Sequence, residues 1–188
     1  LSTMVFPLVS QNTGNFWFFG TNAGIDFSSG SPIGISGSST GLEGSGVACD
    51  QNGALLFYSD GLTVWDKNHN IMPNGSGLIG GASASQSGLI VPIPQSCNRF
   101  LVLSTHDHTS TGTLAYTEVD MTLNGGLGAV VVGTKNIVMY TSASEHLAVT
   151  KHANGIDYWI VSRQRSSNQY SAFLLTSSGV SVSPVVSS

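Results

Sequence analysis

One pattern recurs four times along this chain and limits its fold more than any other feature. An apolar strand is followed by a polar turn, then by a strand dense in aromatic and β-branched residues. Residues 7–15 lead into 16–19, 46–53 into 54–60, 89–98 into 99–104, and 147–155 into 156–162. Each aromatic strand is followed by another turn and a third strand, at 24–27, 62–65, 113–119 and 170–175. The second and fourth copies turn at Asn52-Gly53 and Asn154-Gly155. An Asn-Gly pair suits a tight hairpin whose two central residues take positive φ. Three-strand meanders recurring every ~40–50 residues are the mark of propeller blades. A fourth, outer strand then falls in the stretches between copies, at 31–35, 71–72 and 136–140. The expected fold is therefore all-β and propeller-like, about four blades of antiparallel meanders. A β-sandwich with coincidental hairpins is the competing architecture, and four aromatic strands in phase argue against it.

Composition supports this reading by exclusion. Only 9% of residues are charged, and the six Lys and Arg are scattered, for a net charge of −4. Nucleic-acid binding needs clustered cations to displace counterions, so it is not expected. With 40% apolar residues the chain has enough hydrophobic material to fold rather than stay disordered. Its 23 Gly and abundant Ser and Thr are poor helix formers. Helix is expected to be one turn at most, near 120–124. The low-complexity stretches 37–46 and 80–88 sit between copies and read as interblade loops.

The first ten residues are apolar and uncharged. Two readings stay open for them: a first β-strand, or the tail of a signal peptide cleaved after Ser10. Residues 11–188 are read as one propeller-like domain. No apolar run approaches the ~20 residues of a membrane-spanning helix. Cys49 and Cys97 lack metal-ligand spacing and form no C-x-x-C pair. They are either disulfide-bonded or two separate thiols.

Candidate sites are few. Asp66, Asn68 and Asn70, with Asp60 and His69 nearby, have the D-x-N-x-N opening of a calcium loop. Ile71 stands at the sixth position where Gly is needed, and Gly77 at the twelfth where a bidentate Glu is needed. The favoured reading is a hairpin turn whose side chains bond their own backbone. His106, Asp107 and His108 follow the third aromatic strand; two His at i and i+2 on a strand share a face and suit a metal. On a loop they form a solvated rim, which is favoured. His146, Lys151 and His152 are read as turn residues. No nucleophile elbow, paired-acid arrangement or phosphate-binding loop stands out. No catalytic residue and no cofactor is expected, with calcium the weak exception. Trp17, Trp65 and Trp159 are expected to pack between blades, with Phe57, Tyr58 and Tyr158. If exposed, these rings suit sugar stacking. Gly53 and Gly155 are expected as structural turn residues.

Longer segments carry a family resemblance. The runs 15–20, 23–27, 52–61, 64–75, 116–128, 151–155 and 174–179 include Asn-Phe-Trp-Phe-Phe-Gly, Phe-Tyr-Ser-Asp-Gly and Lys-His-Ala-Asn-Gly. With these, residues 12–186 resemble the N-terminal propeller-like region of large secreted surface proteins of Bacteroidota. Those proteins carry immunoglobulin-like or PKD-type repeats and a gliding-motility-type sorting domain read by type IX secretion. The resemblance implies an extracellular or cell-surface location and supplies no catalytic site. It also implies further blades, so this chain is expected to be part of a larger propeller. The function expected is that of a non-enzymatic, adhesin-like or extracellular structural module. Its partners would be other protein chains or surface glycans, or copies of itself paired through exposed strand edges. A carbohydrate-binding or carbohydrate-active propeller and a self-assembling fibre subunit are the alternatives.

Overall fold

The chain is all-β in a computed structural model that describes residues 12–107 and 112–188. Both readings of residues 1–10, and His108, lie outside the described residues. The strands form four antiparallel sheets, each built from one continuous stretch of sequence. Sheet A comprises β1 (Phe16–Phe19), β2 (Ala23–Asp26) and β3 (Ile33–Ser36). Sheet B comprises β4 (Gly46–Cys49), β5 (Leu55–Ser59), β6 (Thr63–Asp66) and β7 (Ile71–Ser76). Sheet C comprises β8 (Leu89–Pro92), β9 (Arg99–Thr105), β10 (Thr113–Asp120), β11 (Ala129–Val130) and β12 (Ile137–Thr141). Sheet D comprises β13 (Ala143–Lys151), β14 (Tyr158–Gln164), β15 (Tyr170–Thr176), β16 (Gly179–Val180) and β17 (Val185–Ser187). Each sheet is a meander, and its strands pair in chain order. In sheets C and D two short strands share the outer edge: β11 and β12 both pair with β10, and β16 and β17 with β15. The outer strands expected at 31–35, 71–72 and 136–140 are β3, β7 and β12. Among the described residues helix is limited to 3-10 turns at Asn12–Gly14 and Asn124–Gly126. None is long and apolar enough to cross a membrane.

Alternation places successive side chains on opposite faces, and the sheets stack in series through those faces. Between A and B, Phe18, Tyr58 and Trp65 form a buried aromatic stack. The Phe18 and Tyr58 ring centroids are 4.2 Å apart, and those of Tyr58 and Trp65 5.4 Å. Between B and C the contact is mainly aliphatic: Phe57, Val64 and Met72 meet Phe100, Val102, Val119 and Met121. Between C and D, Leu101, Leu103 and Leu114 meet Leu147, Ile160, Phe173 and Leu175. Phe57, Val102, Leu103, Leu114, Ile160 and Leu175 are completely buried, so truncating any of them costs the burial plus the cavity left behind.

The expected tryptophan positions hold in one case of three. Trp65 is 4% exposed in the A–B stack. Trp17 is 56% exposed, because its neighbour Phe18 takes the face towards sheet B and alternation turns Trp17 away. Its ring edge rests on Phe27 and its indole N–H donates to the Gly14 carbonyl. Trp159 is half-buried for the same reason: Ile160 enters the C–D core, and Trp159 lies on the far face of sheet D.

The two low-complexity linkers pack against each other at one end of the stack. Backbone N–H groups of Leu42 and Gly44 donate to the carbonyls of Ala82 and Ala84, as in a strand pair. The Glu43 carboxylate accepts hydrogen bonds from the Ser83 and Ser85 hydroxyls. The second linker also reaches the sheets. Ser87 Oγ accepts the Thr105 N–H, Gln86 Oε1 accepts the Leu147 N–H, and the Ser85 N–H donates to Glu145. Glycine is required for this closeness. A Cβ on Gly44 would lie 2.6 Å from the Ala84 carbonyl oxygen and from both Ser87 N and O. One on Gly61 would overlap Ser87 Oγ, and Gly61 also has φ of +84°.

Candidate functional site

At the opposite end, the first hairpins of sheets B, C and D turn around a groove. Strands β4, β8 and β13 all run towards this end, and their hairpin turns form its rim. Two adjoining hollows of about 610 and 530 Å³ make up the groove. Thr13, Cys49, Gln51, Pro92, Phe100 and Tyr158 line both, which makes them one continuous feature. The floor is apolar: Val47 and Ala48 from β4, Ile90 and Pro92 from β8, Leu56, and the buried ring of Phe100. The rim carries exposed Gln51, Asn52, Gln95 and Lys151, with Ile156 50% exposed. An apolar floor with a few polar groups at its edge is the usual make-up of a binding cleft.

The rim is shaped by a turn that recurs. The Gly53 N–H donates to the Asp50 carbonyl, the Asp50 N–H donates to the Ala54 carbonyl, and Gly53 has φ of +86°. Asp50 Oδ1 accepts the N–H groups of Asn52 and Ala54. The sheet-D hairpin repeats the pattern: the Gly155 N–H donates to the His152 carbonyl, and His152 Nδ1 accepts the Asn154 N–H. Gly53 and Gly155 are thus structural turn residues. The two-residue Asn-Gly hairpin expected at both places is not formed, since neither Asn52 nor Asn154 has positive φ. The side chain at the first turn position captures the N–H two residues on, which favours a four-residue turn closed by a single left-handed glycine.

The same device accounts for the calcium-like run. Asp66 Oδ1 accepts the N–H groups of Asn68 and Asn70, and the His69 N–H donates to the Asp66 carbonyl. His69 takes the left-handed position with φ of +66°. Asp60 is used alike, its Oδ1 accepting the N–H groups of Leu62 and Thr63. This turn is the favoured sequence reading of Asp66, Asn68 and Asn70. His106 and Asp107 follow the end of β9 rather than lying on it, so the shared-face argument for a metal does not apply there. Among the described residues no three His, Cys, Asp or Glu side chains come together in a way that could hold a metal ion.

Two features were not legible in advance. Cys49 and Cys97 line the same groove, and both are free thiols, Cys49 buried and Cys97 exposed. Burial pushes the Cys49 thiol above its ordinary pKa, against backbone hydrogen bonds from Phe16 and Asn15 that pull it down. The second feature is the Tyr58 hydroxyl inside the A–B stack. It accepts the Ser38 N–H at 2.8 Å and lies within hydrogen-bond distance, 3.0 Å, of His69 Nδ1. Burial is the main cause raising the Tyr58 pKa. The signal for the groove was the repeat itself: each copy turns at the same point of its meander, which brings the turns to one end.

The site therefore belongs to a class defined by architecture: consecutive meander sheets stacked face to face, with a cleft across the hairpin ends of three of them. No known protein family matches the chain, and neither a curated protein nor a solved structure does.

Proposed function

We propose that this chain is a non-enzymatic binding module, a propeller-like segment of a secreted or cell-surface protein of adhesin-like or extracellular structural type. The groove is the observation that carries the reading. Its lining offers apolar surface, the Tyr158 ring, amide side chains and the Lys151 ammonium. Asp50 is the one carboxylate on it, and its Oδ1 is engaged by backbone N–H groups. Glycoside hydrolysis uses two carboxyl groups facing one bond, so this lining suits holding a ligand better than cleaving one. A glycan chain or an extended segment of another protein fits such a groove, the amides bonding polar edges while Tyr158 and Phe100 pack on apolar faces. The proposed secreted or cell-surface location rests on the resemblance to the propeller-like region of Bacteroidota surface proteins, with which four meanders in series agree.

The test is a glycan and matrix-protein binding screen on the 188-residue chain, run with and without chelator. Binding lost in Tyr158→Ala and Gln51→Ala variants that keep the native β spectrum supports the reading. Release of reducing sugar from a bound glycan would favour the carbohydrate-active alternative, and a chelator-dependent signal would revive a calcium role. No binding to any glycan or protein in the screen would sink the groove as a recognition site.

A further inference from the structure

The face that sheet C turns to sheet D is apolar except at one end. Residues two apart on a strand share a face, so Arg99, Leu101 and Leu103 of β9 and Leu114, Tyr116 and Glu118 of β10 all belong to the face turned to sheet D. Glu118 and Arg99 are diagonal neighbours across this strand pair. The guanidinium donates through Nε, at 2.6 Å, and through Nη2 to a single carboxylate oxygen, Oε1. The Glu118 side chain is only 9% exposed. Among the described residues nothing bonds its second oxygen, Oε2. Glu118 lines a hollow of about 220 Å³ left between the two sheets. Leu101 and Ile93 from sheet C and Leu175 and Val180 from sheet D form its apolar walls, and the β15–β16 turn at Ser177 and Ser178 borders it. Tyr116 also lines it, with a hydroxyl that no described group bonds. The hollow adjoins the groove at Ile93 and shares none of its other lining residues.

An ion pair in this position is a poor choice for stability alone. Desolvating the charges offsets much of their attraction, and an apolar side chain at 118 would extend the C–D core into the hollow. The carboxylate stands instead where its second oxygen meets enclosed space. The chemistry of the lining selects the ligand. Arg99 cancels the Glu118 charge, so the site draws no ion by net charge. What remains is a strong acceptor at Oε2, a Tyr116 hydroxyl able to donate and accept, two serine hydroxyls at the edge, and aliphatic walls. We propose that this hollow binds a single neutral sugar ring, whose hydroxyls donate to Glu118 Oε2 and bond Tyr116 while its C–H face packs on Leu175 and Val180. A hydroxyl suits Oε2 better than an ammonium, because the adjacent guanidinium already neutralises the carboxylate and repels a second cation. The volume lies below the ~300 Å³ at which drug-sized sites begin, and it suits one ring rather than a chain. This site is separate from the groove and does not depend on the groove as a binding site.

The decisive experiment is an NMR titration of the 188-residue chain with D-glucose, D-galactose, D-mannose and N-acetylglucosamine, and with methylamine as the ammonium probe. At least one of the sugars should give saturable shifts of the amides at Arg99, Tyr116, Leu175 and Ser178. Ser178→Trp, at an exposed turn position, covers the hollow and should abolish them. Tyr116→Phe should weaken binding about fivefold, the worth of one hydrogen bond. Glu118→Leu removes the acceptor and fills the hollow, so it should lose sugar binding while keeping or gaining resistance to denaturant. Ser178→Trp and Tyr116→Phe, both outside the ion pair, carry the test if Glu118→Leu loses its native β spectrum. Tyr158→Ala, in the groove, should leave the sugar shifts unchanged, so the two sites fail separately. Saturation by none of the sugars would overturn the proposal. So would sugar binding that survives both Ser178→Trp and Glu118→Leu, and so would a hollow that methylamine saturates and the sugars do not.

Discussion

The two ends of the sheet stack are built from similar residues and behave in opposite ways. At one end the linkers 37–46 and 80–88, rich in Gly and Ser, pack backbone on backbone with no room for a Cβ at Gly44 or Gly61. At the other end the hairpin turns, also rich in Gly and Asn, stand apart and leave a groove between them. A Cβ on Gly155 would meet nothing within 4 Å, although its φ of +73° is of the same kind as that of Gly61. Glycine therefore serves close approach at one end and backbone shape alone at the other. The closed end ties the linker to sheets C and D through Ser87, Gln86 and Ser85. The open end has its turns held mainly by their own side chains, which leaves their outer surfaces available to a ligand.

This contrast is most exposed to failure at Gly61. Gly61→Ala meets Ser87 and also carries a left-handed strain, so it should cost about 3 kcal/mol or more, summing overpacking and backbone terms. Chemical denaturation measures it. A cost near that of an open-end glycine would mean the closed end has slack. Next in size is Tyr58→Phe, which strands the part-buried Ser38 N–H and removes the His69 contact, for about 2 kcal/mol. The same variant carries a pH signature. The Tyr58 pKa is raised in the folded chain, so its contribution to stability is whole below the unfolded value of about 10. It is lost as pH rises through the folded pKa. Tyr58→Phe should therefore show a shallower alkaline loss of stability than wild type, and an equal loss would place the titration elsewhere.

Gly155→Ala should cost only about 1 kcal/mol, the backbone strain alone, because the added methyl group faces open space. A penalty as large as that of Gly61→Ala would mean the open end is packed after all. The smallest effect belongs to Cys97→Ser, which should change stability by less than ~0.5 kcal/mol, as exposed substitutions do. Its use is in labelling: a thiol reagent should modify Cys97 in the native protein and Cys49 only after unfolding, because Cys49 is buried with a raised pKa. Equal labelling of both would show that the groove opens to solvent down to β4.

Most of the strand plan was legible because it rests on local chemistry. The apolar-turn-aromatic repeat located β4, β5, β8, β9 and β14 to within a few residues, and β3, β7 and β12 fell in the stretches assigned to outer strands. The turn at Asp66–Asn70 was legible too, since an Asp side chain bonding the N–H two residues on needs nothing from the rest of the fold. The detail of the Asn-Gly hairpins was misjudged, because Asp50 and His152 compete for the same N–H groups as the backbone. The faces of Trp17 and Trp159 were not legible, because both faces of these strands are partly apolar. Period-2 alternation then separates two faces without saying which is the core.

The sequence by itself determined that the chain is all-β, how many meanders it has and where they turn. Those properties follow from propensity, alternation and turn chemistry within a dozen residues. Only the tertiary structure decided the rest: that the Gly-rich linkers interlock, that Cys49 and Cys97 share one groove, and that Trp17 and Trp159 turn away from the buried clusters between the sheets. Each of these depends on which sheet stacks on which, and a residue's burial is a property of the neighbour that covers it, which lies tens of residues away along the chain.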